Sequence, residues 1–330
     1  MILKSYTLAR MKALAMFFPL VAVNLVPSTG FATSDLVVRN DQADLLLYPF
    51  RNQTFYNQGG ATKVGNGWNF THYFVGDWTG DGIDDLVVRT ASGDMLLYPF
   101  KNGTFYGHGG GKKVGNGWNF THYLVGNWLG NGTPDLIVRT ASGVMLLYPF
   151  KNGTFYGHGG GKKVGNGWNF THYFVGDWTG DGIDDLVVRT ASGDMLLYPF
   201  KNGTFYGHGG GKKVGNGWNF THYLVGNWLG NGTPDLIVRT ASGALFLYPF
   251  NNGTFYNQGG SAKVGNGWNF THYFVGDWTG DGIDDLVVRT AGGDMLLYPF
   301  KSGTFYGHGG GKKVGNGWNF THYFVGEWVN

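Results

Sequence analysis

Three stretches of this chain could gather carboxylates around one point. Asp77-Trp78-Thr79-Gly80-Asp81-Gly82-Ile83-Asp84-Asp85 recurs word for word at 177–185 and 277–285; at 127–135 and 227–235 its place is taken by Asn-Trp-Leu-Gly-Asn-Gly-Thr-Pro-Asp. In the acidic version, oxygen-bearing side chains stand at positions 1, 3, 5 and 9: Asp77, Thr79, Asp81 and Asp85 in the first copy, Asp177, Thr179, Asp181 and Asp185 in the second, Asp277, Thr279, Asp281 and Asp285 in the third. A hard cation such as calcium takes about six to eight oxygens, and alternate side chains of a tight loop can converge on one centre. Gly82 permits the sharp turn after position 5, and the Ile83 carbonyl would add an oxygen. The spacing predicts structural calcium in these loops, about three ions per chain. The sister loops carry Leu129 or Leu229 at position 3 and Asn131 or Asn231 at position 5, which removes two anions, so they are expected to be empty. The competing reading of the acidic loops is a glycine-rich turn with solvated acids.

Catalysis is a weaker use of the same residues. Acid pairs for glycoside hydrolysis face each other across a substrate, whereas these would converge on a cation. No Ser-His-Asp order, phosphate loop or His-Glu-x-x-His is present, and near-identical copies offer no unique set of acids, so the chain is expected not to be an enzyme.

A second group could bind a ligand by stacking and hydrogen bonding. The segment Gly-Asn-Gly-Trp-Asn-Phe-Thr-His-Tyr brings Trp68 with His72, and copies Trp118 with His122, Trp168 with His172, Trp218 with His222, Trp268 with His272 and Trp318 with His322. An arginine closes each Asp-Leu-Val/Ile-Val-Arg run: Arg39, Arg89, Arg139, Arg189, Arg239 and Arg289. An indole can stack on the apolar face of a sugar, while Arg, His and Asn hydrogen-bond its hydroxyl or acetamido groups. Against this stand bland roles: Trp as a wedge in the core, His as a satisfied structural residue, Arg paired with a neighbouring Asp. A third group, Tyr106 with His108 and its copies at 156/158, 206/208 and 306/308, ranks second as a binding site.

All these residues recur because the chain repeats every 50 residues: Leu-Tyr-Pro-Phe ends at 50, 100, 150, 200, 250 and 300. Such a period belongs to propeller blades or solenoid units. Each unit holds four short runs rich in Val, Leu, Ile, Tyr and Phe, in one copy roughly 73–78, 85–89, 94–100 and 111–115, separated by turn signals and without a sustained helical period. The expected fold is all-β: a six-bladed β-propeller of four-stranded blades. Its repeats begin on the second strand of a blade and end on the first, so the segment at 322–328 should close the ring against 35–66 by pairing of N- and C-terminal strands. Alternating strand directions then place the Trp/His loop and the Arg ends at one end of the ring, and the acidic loops with the Tyr106 segments at the other. One feature repeated round a ring suits multivalent binding.

Residues 1–32 read as a signal peptide: Lys4, Arg10 and Lys12 precede the apolar run 13–23, and Gly30-Phe31-Ala32 ends it. Residues 33–330 are then the propeller domain, with a secreted location. Three of the 24 basic residues and none of the 21 acidic ones lie in 1–32, so the remainder is formally neutral. Nucleic acid is not an expected partner, because binding it draws on excess positive charge; no later stretch suggests membrane insertion, and the absence of cysteine excludes disulfides.

Asn-Gly-Thr-Phe followed by Gly-Trp-x-x-x-His and then Asp-Trp-Thr-Gly-Asp-Gly-Ile-Asp-Asp-Leu-Val resembles the PVL-like fungal lectins, secreted propellers with integrin-type calcium loops; the order matches across 35–330. The acidic loop itself resembles the FG-GAP (VCBS, integrin α-type) repeat, and the segment after it, Arg-Thr-Ala-Ser-Gly-Asp-Met-Leu-Leu-Tyr-Pro-Phe, looks more like FG-GAP-like repeats of secreted bacterial proteins. The resemblance implies a lectin for N-acetylglucosamine-type glycans or glycoproteins with sites between blades. The alternative is an integrin-like adhesion propeller that binds protein.

Overall fold

In the computed structural model of the chain each repeat folds into a four-stranded antiparallel sheet, and six such sheets form a propeller. The structure describes residues 2–4, 21–23, 34–56, 61–107, 110–157, 160–206, 210–256, 262–306 and 310–329. Blade 2 runs from its innermost strand His72–Gly76 through Asp85–Arg89 and Met95–Tyr98 to the outer strand Lys112–Gly115. Blades 3 to 6 repeat this order from His122, His172, His222 and His272. Blade 1 is shared between the two ends of the repeat region: His322–Gly326 pairs with Asp35–Arg39, Asp35 opposite Gly326 and Arg39 opposite His322. The ring therefore closes as expected, and this pairing removes the open edge that the sheet would otherwise present.

The strands read as unbroken apolar runs because both faces of every blade are buried. Leu86 and Val88 pack toward blade 1 with Val37, Leu45 and Trp68, while Val87 between them packs toward blade 3 with Tyr123, Val125 and Leu136. Strand alternation thus feeds two junction cores rather than a core and a wet surface. A hairpin over residues 100–105 and its copies join this packing, since Phe100, Phe105 and their copies sit in the junctions.

That hairpin is the main departure from the expected strand plan. The segment read as a turn between strands three and four contains a ribbon of its own, Phe100–Lys101 paired with Thr104–Phe105. Asn102 and Gly103 close it with φ of 52° and 76°. Positive φ at both central residues is what a tight hairpin turn with right-handed twist requires, and Asn-Gly supplies it.

Of the expected leader, only Ile2–Lys4 and Val21–Val23 fall among the described residues. They pair with each other, and they lie against innermost strands of blades 5, 6 and 1 and of blades 3 and 4, respectively. The rest of the 1–32 reading lies outside the described residues. Among those residues no helix is long and apolar enough to cross a membrane.

Candidate functional site

The acidic loop is held by its own amides. The Asp177 carboxylate accepts N–H groups from Gly180 at 2.7 Å, Asp181 at 3.0 Å and Gly182 at 2.8 Å. Asp181 accepts from Ile183 at 3.1 Å, and Asp185 accepts from Thr179 and from Phe200 of the hairpin, both at 2.8 Å. Gly182 sits at φ +84°, where a side chain would be strained. The blunt loop closes in a similar way with fewer acids: Asn127 accepts from Gly132, and Asn131 from Thr133. The all-oxygen donor set suits calcium chemically, yet among the described residues no group of three His, Cys, Asp or Glu stands together as a metal site. In this arrangement the carboxylates of Asp77, Asp81, Asp85 and their copies are engaged by amides of the loop and the hairpin.

What the acidic loop does visibly is join blades. Asp184 is buried and reaches back to blade 3, where its carboxylate accepts the Asn127 N–H at 2.6 Å and its own N–H donates to the Asn127 carbonyl at 3.1 Å. The Asn127 side-chain amide donates to the Gly182 carbonyl at 3.0 Å, a bond that aspartate at this position could not make. Asp284 with Asn227 repeats the latch, and Asp84 binds the Glu327 backbone where the ring closes. At the intervening junctions the latch residue is Pro134, Pro234 or Ser34. Pro134 lies close against Gly76, and Ser34 against Gly276. The two loop types are complementary halves of a joint, a role that sequence reasoning missed because it lies in position 8, between the residues that looked like ligands.

Asp135 and Asp235, the ninth residues of the blunt loops, are fully buried. Burial pushes their carboxyls up to about 7, against the amide bonds from Phe150 and Leu129 to Asp135 and from Phe250 to Asp235 that hold them down. The folded chain keeps protons that the unfolded chain releases near pH 4, so this contribution to stability falls as pH rises from about 4 to about 7. The six histidines of the Trp/His segments act oppositely: burial, then the nearby arginine, lowers His122 to about 4, so their contribution is lost as pH falls through that window. The double variant Asp135→Asn/Asp235→Asn is expected to gain thermal stability over the parent as pH goes from 5 to 8, read by melting at each pH. A constant offset between the two proteins would show that these carboxyls do not titrate in this range.

At the other end of the ring the structure corrects the stacking proposal for tryptophan. Trp68, Trp118, Trp168, Trp218, Trp268 and Trp318 are only 2–4 % exposed. Trp168 packs at 4.6 Å from the Tyr198 ring and 4.9 Å from Phe205 of the next blade, and no indole face is open to a ligand. Gly165 leaves the room for it, since a Cβ there would come 2.1 Å from the indole nitrogen. The arginines pair with the loop rather than with aspartate. Arg139 donates through Nε to the Trp168 carbonyl and through Nη1 to Thr121 Oγ1 at 3.0 Å; Nη2 lies 3.5 Å from Asn169 Oδ1. His122 Nδ1 lies 2.9 Å from the same threonine oxygen, with its ring 5.0 Å from that of Tyr173 in blade 4. The expected Trp, His and Arg residues do come together at every junction, but as a clamp whose polar groups largely bind one another.

The exposed aromatics lie at the acidic-loop end. Tyr56, Tyr106, Tyr156, Tyr206, Tyr256 and Tyr306 are 42–51 % exposed, and with Leu129 and Leu229 they are the large apolar side chains open to solvent among the described residues. In five blades the asparagine of the hairpin turn donates to the tyrosine hydroxyl, as Asn152 does to Tyr156 at 3.3 Å, which fixes the ring. Blade 6 has Ser302 instead. The sequence signal was a tyrosine repeated in all six units, of which Tyr56 and Tyr256 were passed over because the adjoining Gly-His becomes Asn-Gln. The histidine partners 108, 158, 208 and 308 lie outside the described residues.

With this geometry in view, comparison with known proteins gives one family. Residues 227–288 match the FG-GAP-like repeat. The match runs from the Asn227 loop to the second strand of blade 6, more than one full repeat. No curated protein matches the chain. Similar solved structures include the C-terminal WD40 domain of Sif2, at 14 % identity and a TM-score of 0.40 over 86 % of this chain and 88 % of that one. A Bacteroides caccae protein of unknown function shows 10 % identity and a TM-score of 0.38 over 89 % and 99 %. The extracellular domain of a putative one-component system from B. thetaiotaomicron shows 13 % identity and 0.41 over 86 % of this chain and 34 % of that one. The six-bladed ring rests on the strand pairing described above, not on these distant likenesses.

Proposed function

We propose that the chain is a multivalent carbohydrate-binding propeller, a secreted lectin whose sites lie between neighbouring blades on the rim of the acidic-loop end. The observation that carries this reading is the ring of six exposed tyrosines at equivalent positions. A fixed aromatic face suits the apolar C–H face of a pyranose, and the turn asparagine and open backbone amides supply partners for its hydroxyls. Single sites of this shallow kind bind weakly; six on one rigid ring gain avidity on a dense glycan surface through effective concentration. N-acetylglucosamine-type glycans come first because of the resemblance to PVL-like lectins. Secretion rests on the composition of residues 1–32.

The test is a glycan array with haemagglutination. Replacing all six tyrosines by alanine is expected to abolish the signal, with a loss of about tenfold or more per site, while leaving the melting temperature near that of the parent. Full retention of binding would move the site away from this rim.

A protein ligand is the second reading, favoured by exposed Leu129 and Leu229 at the same end. Leu129→Ser/Leu229→Ser would weaken a protein contact and spare glycan binding. Calcium in the three acidic loops belongs to the proposal on donor chemistry and spacing alone, and no step of binding passes through it. Elemental analysis is expected to find about three ions per chain. None would leave the acids as turn acceptors and latches, and six would erase the distinction between the loop types.

A further inference from the structure

The outer strand of each blade runs beside the tyrosine hairpin of the next, and the residue that begins it differs from blade to blade. It is Lys112, Lys162, Lys212 and Lys312 in blades 2, 3, 4 and 6, but Thr62 in blade 1 and Ala262 in blade 5. The lysine ammonium reaches over the hairpin turn of its neighbour: Nζ of Lys112 and of Lys162 comes 2.7 Å from where a Cβ would stand on Gly153 and Gly203, and Nζ of Lys212 comes 2.9 Å from that of Gly253. Lys312 lies 3.5 Å from Gln53 Oε1 in the hairpin of blade 1. Gly103 and Gly303, whose neighbours begin with Thr62 and Ala262, have nothing within 4 Å. The adjacent lysines are used differently: Lys113, Lys213 and Lys313 form ion pairs with Asp94, Asp194 and Asp294. Among the described residues no such carboxylate stands beside the four that cross to the next blade.

We infer that four of the six rim sites recognise an acidic sugar, the tyrosine ring taking the pyranose face and the crossing lysine its carboxylate. This rests on the glycan reading above and deepens it. At these sites a cation, a turn amide and an exposed aromatic ring meet across a blade junction, the ammonium lying over the turn without an acid to neutralise it among the described residues. A uronic acid residue matches that set, whereas a neutral sugar uses the ring and the amide alone. The sites at Tyr106 and Tyr306 lack the cation and are left to neutral residues. Valency for acidic glycans is therefore four, and for neutral ones six.

Calorimetric titration with two oligosaccharides that share N-acetylglucosamine separates the ideas: a hyaluronan tetrasaccharide, which alternates it with glucuronate, and chitotetraose, which is neutral. The intact protein is expected to prefer the hyaluronan fragment by roughly three- to fivefold, the size of an exposed ion pair, with four preferring sites and a preference that fades as salt rises from about 0.05 to about 0.5 M, across which the screening length falls roughly threefold. The variant Lys112→Gln/Lys162→Gln/Lys212→Gln/Lys312→Gln should lose the preference and keep its affinity for chitotetraose. Equal affinity for the two sugars in the parent, or a preference that survives in the variant, overturns the inference while the lectin reading stands. Binding of neither sugar by the parent overturns both.

Discussion

Replacing Asp84, Asp184 and Asp284 together by alanine is expected to destabilise the propeller more than any other change at its surface loops. Each truncation removes the acceptor of a neighbouring blade's backbone N–H: Glu327 at 2.8 Å, Asn127 at 2.6 Å and Asn227 at 2.7 Å. The orphaned donor lies in a junction from which the carboxylate had excluded water, and such a loss costs about 1–3 kcal/mol. The three sites lie in separate junctions and should add, giving about 3–9 kcal/mol against a total stability of about 5–15 kcal/mol. The corresponding asparagine variants keep an acceptor oxygen and shed a buried acid, so they should melt within a few degrees of the parent. Chemical denaturation of both series gives the comparison; alanine and asparagine variants that unfold together would sink the latch.

The second large effect concerns tryptophan. Trp168→Ala empties a space between blades 4 and 3 that is lined by Tyr198, Phe205 and Phe170. Truncation of a large buried aromatic costs about 3–5 kcal/mol, part of it for the cavity. Any fall in glycan binding by this variant should track unfolding. Trp168→Phe refills much of the space and, measured well below its melting point, is expected to bind glycans as the parent does. Lost binding in a folded Trp168→Phe protein would return the ligand to the end of the ring where the sequence pattern first put it.

These two expectations show where the sequence was readable. The period, the four apolar runs per unit and the offset at the two ends led to six blades and to the pairing of 322–326 with 35–39, because backbone pairing and the burial of both blade faces act on residue types directly. The hairpin at 100–105 was signalled by Asn102-Gly103 but was absorbed into a glycine-rich stretch that looked like a plain turn. The tryptophans could not be assigned from type alone, since the same side chain serves equally as stacking platform and as wedge. Only the depth of the junction, shown by an exposure of 2–4 %, separates the two.

The alternation of acidic and blunt loops divides in the same manner. By itself the sequence determined that two kinds of loop follow each other round the ring, that one kind is rich in carboxylates, and that the chain is a closed all-β repeat. The tertiary structure decided what the alternation accomplishes: Asp184 and Asn127 are 57 residues apart and meet only because neighbouring blades bring their loops together. It also decided which aromatic ring faces solvent. Both depend on contacts between blades, and a repeat read one unit at a time holds no information about which of its faces the next copy will cover.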